Sequence, residues 1–397
     1  GAFTRAGSVN ARNVAFWNGA TWSALGSGAW GAVYSLCLDR QGRLYAFGDI
    51  TNAGGVTVKN AARWDGSAWS TYGTFDAPVW TCLRHGSASI YAGGGFTQVG
   101  TFPFRAVAAR RLIPAPVNDH DADMRSDFPV YNPPNGAWYI RSMAGPTLAW
   151  NDQWGWSTAR TVTGDYDGDG LSDQADFDNA NGNWYIKRID DRVLAWANNW
   201  GWPSARTVPG DYNGDRLWDQ AVFDTANGNW YIKRLSSATP LAWANNWGWA
   251  GATPVAGDYN GDGVWDQAVF NPAGGSWYIK SLSGGVITWN NGWGWSTALP
   301  VSGDYDGDGV WDLGVFDTAN GNWYIKTVAG KTLAWKSNWG WPGARPVSGD
   351  YDGDGLYDQA VFDTGTGRWF VRTLDGRVIA WSANWGWAGA TVPILGP

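Results

Sequence analysis

The chain has 397 residues, with 56 Gly, 33 Trp and a formal net charge of -7, and all 35 acidic residues are Asp. A Gly-rich and Trp-rich chain without Glu lacks the residues that usually fill helix surfaces, so the composition favours β-structure. An acidic chain without basic runs is a poor candidate for binding nucleic acid. No stretch approaches 18 apolar residues, which argues against membrane insertion.

The N-terminal part, residues 1–113, contains one type of repeat. Residues 13–19 recur as residues 60–66, residues 44–48 recur as residues 90–94, and a third copy starts near residue 106. Cys37 and Cys82 fall in corresponding strands of the first two copies. Two cysteines are too few for a disulfide framework, so we expect two buried thiols rather than a bridge.

Residues 114–397 contain a second repeat, in which the first aspartate of one loop recurs at intervals of 46 or 47 residues. These six aspartates are Asp119, Asp165, Asp211, Asp258, Asp304 and Asp350. Each unit contains alternating, β-rich runs such as residues 230–233, and Asn-Gly pairs that favour tight hairpins precede several of them. Four strands in about 46 residues is typical of one propeller blade.

The sequence therefore predicts an all-β fold, a β-propeller of about eight four-stranded blades, with a range of seven to nine. The tail at residues 390–394 repeats the first strand of a unit that then stops, and residues 1–7 resemble a later part of such a unit. We expect the two chain ends to complete one blade together. We also expect both repeat types to form one closed propeller.

The recurring loop has the pattern Asp-x-Asp/Asn-x-Asp-Gly-x-x-Asp and is the sharpest chemical signal. Four carboxylates in nine residues repel each other unless a cation lies between them, and oxygen ligands at alternate positions suit calcium. Positions 1, 3, 5 and 9 would provide side chains, and position 7 a backbone carbonyl. The predicted ligands in five copies are Asp165, Asp167, Asp169, Leu171 and Asp173; Asp211, Asn213, Asp215, Leu217 and Asp219; Asp258, Asn260, Asp262, Val264 and Asp266; Asp304, Asp306, Asp308, Val310 and Asp312; and Asp350, Asp352, Asp354, Leu356 and Asp358.

Two loops depart from this pattern. The first copy keeps Asp119, Asp121, Asp123 and Asp127, but Ala122 and Met124 replace both glycines. Arg216 replaces one glycine of the third copy. We expect both of these sites to be weaker. The alternative is that the aspartates only form Asx-turns with their own backbone.

The six spaced loops resemble the FG-GAP (VCBS) repeat family of calcium-binding propellers, over about residues 114–397. Residues 1–113 look like kelch-type propeller repeats. The first resemblance implies calcium in the loop between the first two strands of a blade, and hence about five or six calcium ions.

The tryptophans form two groups. Each unit contains a Trp-x-x-x-Trp-Gly-Trp string such as Trp243, Trp247 and Trp249, for which we favour packing between blades over stacking on sugars. Three more, Trp218, Trp265 and Trp311, occupy loop position 8. We expect these three to project outward and to form a ligand or partner surface.

Lysines recur at the end of one strand of the unit, and we expect them to lie on a solvated blade edge; they are Lys187, Lys233, Lys280 and Lys326.

No motif of a hydrolase, metalloprotease, P-loop or dinucleotide-binding enzyme is present, and we predict no catalytic residue. The leading prediction is a non-catalytic, calcium-binding propeller that is extracellular, secreted or on the cell surface and acts in adhesion, assembly or ligand binding. Its partners would be a protein or a glycan at a surface, and self-assembly is included. One alternative is a lectin with pockets between blades. Another is a polysaccharide-active enzyme.

Overall fold

A computed structural model describes residues 1–38, 43–85, 89–99, 102–103, 107–111 and 116–393. The chain divides into two compact units, Gly1–Pro114 (unit 1) and Ala115–Pro397 (unit 2). The regular secondary structure of the described residues is entirely β-strand, which confirms the predicted all-β class. Within these residues there is no helix with the length and hydropathy needed to cross a membrane.

The described residues of unit 1 form fourteen strands, most of them short. They are β1 Arg5–Ala6, β2 Val9–Asn10, β3 Ala15–Trp17, β4 Trp22–Ala24, β5 Ala29–Leu38, β6 Leu44–Ala53, β7 Val56–Thr57, β8 Ala61–Trp64, β9 Trp69–Thr71, β10 Val79–His85, β11 Ser89–Gly94, β12 Gln98–Val99, β13 Phe102–Pro103 and β14 Val107–Arg111. The two larger sheets are β5-β6-β8-β9, with β7 paired to β6, and β10-β11-β14. Cys37 and Cys82 are thiols rather than a disulfide, as expected, but both are half-buried rather than buried.

Residues 116–393 of unit 2 form twenty-three strands, which follow one another in short antiparallel meanders. Sheet 1 is β15 Phe128–Asn132, β16 Ala137–Arg141 and β17 Thr147–Gln153; sheet 2 is β18 Ala159–Gly164, β19 Asp173–Asp178, β20 Asn183–Lys187 and β21 Val193–Asn199; sheet 3 is β22 Arg206–Thr207, β23 Gln220–Phe223, β24 Asn229–Lys233 and β25 Pro240–Asn246; sheet 4 is β26 Thr253–Val255, β27 Gln267–Asn271, β28 Ser276–Lys280 and β29 Val286–Gly292; sheet 5 is β30 Ala298–Pro300, β31 Leu313–Asp317, β32 Asn322–Lys326 and β33 Thr332–Asn338; and sheet 6 is β34 Ala344–Pro346, β35 Gln359–Asp363, β36 Arg368–Arg372 and β37 Val378–Asn384.

The third strand of each four-stranded sheet shows why these residues form strands. In β24, Trp230 and Ile232 are completely buried, whereas Tyr231 between them is not, as a period of two requires. The Asn-Gly turn before it places Gly228 at φ +79°, and a Cβ there would overlap the backbone of Gly248. The Trp230 indole N–H then donates to the carbonyl oxygen of Trp247 at 2.8 Å. The turn, the strand and the Trp-Gly-Trp string are therefore one packed unit.

The end of the chain pairs with the beginning of unit 2. Thr391 forms an antiparallel bridge with Tyr131 on the outer side of β15, through two backbone hydrogen bonds of 2.8 and 2.9 Å. Thr391 thus takes the place that a first strand has in the other five sheets. At the start of the chain, β1 pairs with β2. The expectation that the two chain ends share a blade is therefore wrong for the described residues, because the tail finds its partner in sheet 1.

The six predicted loops are linked to each other by backbone hydrogen bonds. We number them loop 1 (119–127), loop 2 (165–173), loop 3 (211–219), loop 4 (258–266), loop 5 (304–312) and loop 6 (350–358). In each case the N–H at position 8 donates to the carbonyl oxygen at position 1 of the preceding loop. The six bonds run from Ser172 to Asp119 (2.6 Å), Trp218 to Asp165 (2.7 Å), Trp265 to Asp211 (2.7 Å), Trp311 to Asp258 (2.7 Å), Tyr357 to Asp304 (2.8 Å) and Ser126 to Asp350 (2.6 Å). Because loop 1 donates to loop 6, the six bonds form a closed cycle within unit 2.

Candidate functional site

Each aspartate loop wraps around its own first and last carboxylates. In loop 5, Asp304 accepts hydrogen bonds from the backbone N–H groups of Gly307 (2.6 Å) and Gly309 (2.9 Å). Asp312 accepts one from the N–H of Tyr305 (2.8 Å). The Asx-type turns of the alternative interpretation are therefore present, and they hold the carboxylates of one loop close together.

The glycines of the pattern have a conformational role. Gly307 and Gly309 have φ values of +77° and +84°, which favour glycine. Where glycine is missing, the backbone is unchanged: Ala122, Met124 and Arg216 have φ values of +62°, +71° and +70°. Residues with a Cβ in this region cost about 1 kcal/mol or more each. Loops 1 and 3 thus keep the fold of the other loops under local strain.

Four of the six loops bring three carboxylates together closely enough to hold a metal ion. The groups are Asp119, Asp121 and Asp127; Asp165, Asp167 and Asp173; Asp304, Asp306 and Asp308; and Asp350, Asp352 and Asp358, with one oxygen of each residue within 4.8 Å of the others. Asp173 Oδ1 is buried and, among the described residues, has no hydrogen-bond partner. A set made entirely of oxygen donors fits a hard cation.

In loops 3 and 4, an asparagine occupies ligand position 3. Asn213 donates its amide nitrogen to Asp219 at 3.0 Å, and Asn260 donates to Asp262 at 3.0 Å. A cation would need the amide oxygen at this place, which a half-turn of the amide provides. The proposed carbonyl ligands at position 7 and the expected weakness of loops 1 and 3 stay predictions.

Burial raises the pKa values of several loop carboxylates. Desolvation, followed by the neighbouring loop aspartates, raises the pKa of Asp165 and Asp258 to about 6 and that of Asp304 and Asp350 to about 7. At position 9 the pKa of Asp312 rises to about 8. Carboxylates that are this difficult to ionise gain from a bound cation, which favours their charged form.

Basic side chains from outside four of the loops already reach their carboxylates. Arg188 forms ion pairs with Asp167 (3.2 Å) and Asp169 (2.8 Å) of loop 2. The corresponding pairs in loops 3, 5 and 6 are Arg234 with Asp215, Lys331 with Asp306, and Arg377 with Asp352. The sequence analysis missed these residues, because they lie 15 to 19 residues beyond the last aspartate of the motif. They supply part of the positive charge that the loops need.

The raised pKa values predict how the stability of the metal-free protein depends on pH. The pKa values of Asp173 and Asp312 are about 8 in the folded chain, against about 4 for an unfolded aspartate. The protonated groups therefore favour the folded state fully below pH 4, and this contribution is lost as the pH rises through 8. We expect the melting temperature in a metal chelator to fall from pH 5 to pH 9, and excess divalent cation to reduce this slope. A metal-free melting temperature that rises with pH would contradict the assignment.

The structure corrects the expectation for the tryptophans at loop position 8. Trp265 and Trp311 are 5% and 7% exposed, and Trp218 is half-buried. Their rings form one row, with centroids 4.8 Å apart from Trp218 to Trp265 and 5.0 Å apart from Trp265 to Trp311. The Trp265 ring lies where a Cβ at Gly210 would be, at 2.0 Å. These indoles fold back over the preceding loop and belong to the core, so an outward surface at these positions is wrong.

The most exposed aromatic side chains among the described residues of unit 2 lie elsewhere, on the last strands of the sheets. They are Trp150, Trp196, Trp243, Trp289, Trp335 and Trp381, and their exposed fractions are 62–70%. The residue after each has a positive φ of 50–55° although none is glycine; these residues are Asn151, Ala197, Ala244, Asn290, Lys336 and Ser382. The strand pairing is irregular at the same place. Such a bulge re-aims a side chain, here the exposed indole.

Each exposed indole belongs to a cluster of four aromatic rings from two neighbouring sheets. Between sheets 2 and 3, Trp243 contacts Tyr231 edge-to-face at 5.3 Å and Trp200 at 5.8 Å. Trp202 contacts the same Tyr231 at 4.9 Å. The arrangement recurs at every sheet boundary of unit 2, including Trp385, Trp387, Tyr139 and Trp150 between sheets 6 and 1. The Trp-x-x-x-Trp-Gly-Trp string therefore packs between sheets, as favoured, but leaves its first indole open.

A cation lies behind each cluster. Lys233 donates to Asn198 Oδ1 of the neighbouring sheet at 2.9 Å, and its Nζ is 5.0 Å from the centre of the Trp200 ring. Burial lowers the pKa of Lys233, and Lys187 is almost completely buried. The expectation of a solvated blade edge is wrong for these lysines, because they bridge two sheets.

The polar groups behind the clusters differ between boundaries. Asn245 and Asn291 accept from Lys280 and Lys326, Asp152 accepts from Lys187, and Ser337 accepts from Arg372. Ala383 occupies the equivalent place at the last boundary and offers no side-chain acceptor. The aromatic part of the cluster is thus common to all six boundaries, and the polar part is not.

Neither a protein-family model nor a characterised protein sequence matches the chain. Among solved structures, the chain is similar to an Agrocybe aegerita lectin that recognises non-reducing terminal N-acetylglucosamine, with 16% identity and a TM-score of 0.43, over 75% of this chain and 90% of the lectin. It is similar to the V. cholerae biofilm matrix protein Bap1, with 19% identity and a TM-score of 0.31, over 59% of this chain and 41% of Bap1. A Bacillus licheniformis rhamnogalacturonan lyase matches with 14% identity and a TM-score of 0.32, over 85% of this chain and 66% of the lyase.

Scores of this size establish no function for the chain. The resemblance to FG-GAP (VCBS) and kelch-type repeats stays a prediction.

The two groups of tryptophans give a matched pair of substitutions. We expect Trp265→Ala to lower the free energy of unfolding by about 3–5 kcal/mol, because it empties a buried site in the row of loop indoles. Trp243→Ala removes a largely exposed ring and should change it by about 1 kcal/mol or less. Chemical denaturation of both variants and the parent chain measures the difference. Equal losses would show that the burial of one of the two indoles is misassigned.

Proposed function

We propose that unit 2 is a non-catalytic, calcium-stabilised propeller of six blades that acts outside the cell and binds glycans at the aromatic clusters between its sheets. The observation that carries this proposal is the set of six exposed indoles, one at each sheet boundary, each in contact with two neighbouring rings. An exposed apolar group of this kind on a protein surface is typical of a binding site. Its repetition suggests a multivalent ligand such as a polysaccharide or a glycosylated surface.

The chemistry of the clusters favours sugars. A sugar ring presents an apolar C–H face, which packs on an open indole, and hydroxyls around its rim. Trp243 offers the open ring face, and Tyr231 and Trp200 hold it in one orientation at the cost of little additional ordering.

Contacts within unit 2 support the proposed count of six blades. Sheets 2 to 6 have four strands, and Thr391 gives sheet 1 its fourth edge. The hydrogen-bond cycle links loop 6 back to loop 1 through Ser126 and Asp350. In this proposal unit 2 closes by itself, so it replaces the count of about eight blades that included the N-terminal repeats.

Calcium is the cation that we propose for the loops. The donors are carboxylate, amide and carbonyl oxygens, and calcium accepts six to eight of them at flexible positions, whereas magnesium demands a stricter octahedron. The buried, unpartnered Asp173 Oδ1 supports a bound cation in loop 2. About five or six ions are proposed, and millimolar calcium outside the cell would fill sites of modest affinity.

The non-catalytic role is part of the proposal. The loop carboxylates accept backbone hydrogen bonds within their own loops, and the backbone of the same residues forms the hydrogen-bond cycle, so these residues serve the structure. A polysaccharide-active enzyme of the usual kind would need a pair of accessible acids across a cleft. The test for catalysis is release of reducing or unsaturated ends from polysaccharides, and turnover would overturn the assignment.

Calcium binding predicts a change in thermal stability. At millimolar calcium, sites with dissociation constants of ~0.1–1 mM should each add about 0.4–1.4 kcal/mol. We therefore expect EDTA to lower the melting temperature by several degrees, and calcium rather than magnesium to restore it. The matched control is Asp312→Asn, which should reduce the restored part by the contribution of loop 5. An identical melting curve in EDTA and in calcium would rule out the cation.

Glycan binding predicts the effect of removing the exposed indoles. Trp196→Ala, Trp243→Ala and Trp289→Ala together should lower avidity for an immobilised glycan at least tenfold, because half of the proposed sites are lost. A glycan array identifies the ligand, and surface plasmon resonance on the best array ligand gives the change. The control is a triple variant of the half-buried lysines, Lys233→Arg, Lys280→Arg and Lys326→Arg, which keeps the open indoles.

Two results would contradict this assignment. Unchanged avidity in the triple alanine variant would place the binding surface elsewhere. Loss of self-association or of protein capture, without any glycan ligand, would show that the indoles serve assembly instead.

A further inference from the structure

Unit 1 contains a cleft of about 950 Å³ that no part of the proposed glycan sites uses. It lies among the turns around β1, β2 and β6, and its polar lining includes Asn10, Ser27 and Asn52. Two arginines and one exposed tryptophan complete the lining: Arg5, Arg12 and Trp30. The lining contains no acidic residue, in a chain whose net charge is -7. The cleft is therefore locally positive on an acidic protein.

Backbone contacts fix Arg12 next to Trp30. The N–H of Ala29 donates to the carbonyl oxygen of Arg12 at 3.0 Å. This approach is close enough that a Cβ at Gly28 would lie 2.4 Å from the same oxygen. The Arg12 guanidinium then lies over the Trp30 ring, 3.8 Å from its centre. The backbone contact therefore brings Arg12 and Trp30 together, and their side chains stack.

Stacking leaves the binding groups of both residues available. A guanidinium that lies flat on an indole keeps its N–H donors in its own plane, where they form bidentate contacts with planar oxyanions. No carboxylate of the described residues pairs with Arg5 or Arg12. Trp30 is 53% exposed, so much of its indole stays open. The cleft offers charge, an apolar ring and neutral hydrogen-bond groups together.

The second repeat of unit 1 shows that the fold does not require this pair. There, the N–H of Phe75 donates to the carbonyl oxygen of Lys59 at 3.2 Å, which is the counterpart of the contact between Ala29 and Arg12. The counterpart of Trp30 is Asp76, which binds Thr97. The backbone contact is therefore common to both repeats, whereas the arginine–tryptophan pair occurs in the first alone.

The geometry points to a second binding site in this cleft, for an acidic saccharide whose carboxylate or sulfate binds Arg12 and Arg5 and whose ring packs on Trp30. Amide and hydroxyl groups such as Asn10, Ser27 and Asn52 would meet the hydroxyls of the sugar. This inference does not depend on glycan binding by unit 2. It assigns unit 1 a charge preference that the aromatic clusters of unit 2 do not share.

The experiment compares three matched oligosaccharides on the full chain by isothermal titration calorimetry: one carries carboxylates, one carries sulfates and one is neutral. We expect one of the charged ligands to bind at least tenfold more tightly than the neutral one in low salt, with the difference shrinking at high salt. Arg12→Ala should weaken that ligand at least tenfold, and Arg12→Lys should recover part of the affinity, because lysine keeps the charge but not the fork. Trp30→Ala should also weaken it, and Trp30→Phe less.

Lys59→Ala is the matched control, since it removes an exposed cation at the equivalent place of the second repeat. It should leave the affinity unchanged. Melting curves of all variants check that unit 1 stays folded. Equal binding of the neutral and charged ligands, or full affinity in Arg12→Ala, would overturn the proposal, as would an equal loss in Lys59→Ala. Whether the carboxylated or the sulfated ligand responds to Arg12→Ala identifies the oxyanion.

Discussion

The backbone hydrogen bond from position 8 of one loop to position 1 of the preceding loop is the contact on which unit 2 depends. It joins backbone atoms of residues such as Trp265 and Asp211, and their side chains take no part in it. The bond repeats until the N–H of Ser126 in loop 1 donates to the carbonyl oxygen of Asp350 in loop 6. The carbonyl oxygen of the first aspartate is thus used for the cycle while its carboxylate holds its own loop. The candidate metal ligands and the hydrogen-bond cycle therefore reside in the same nine residues of each loop.

Much of this architecture could be predicted, because it follows from local chemistry. The Asn-Gly turn before β24 needs the positive φ of Gly228, and the strand after it alternates, so both are visible in the sequence. The even spacing of the aspartate loops gave the repeat, and their composition gave the oxygen donors. The clusters of carboxylates in loops 1, 2, 5 and 6 lie where the pattern placed them.

The predictions that were wrong concern residues whose positions depend on contacts between repeats, and no local sequence pattern contains these contacts. The loop pattern predicts that Trp265 projects outward. Gly210, just before loop 3, leaves room for its ring, however, and Trp265 is buried. The sequence pattern predicts that Trp243 packs between blades, but the bulge at Ala244 turns its indole outward. Lys233 can be identified as a bridge between sheets only when its acceptor, Asn198 of the neighbouring sheet, is known. A signal was present: the first Trp of each string recurs as evenly as the aspartates.

The basic side chains that reach the loops affect the charge balance of the protein when divalent cations are scarce. Arg188, Arg234, Lys331 and Arg377 act as tethered counter-ions, so the acidic loops that they serve keep partial charge balance when dissolved metal is scarce. Loop 4 has Ser281 where loops 2 and 3 have arginine, and no described ion pair reaches it. Loop 4 would therefore depend more on a dissolved cation for its charge balance than loops 2, 3, 5 and 6 do.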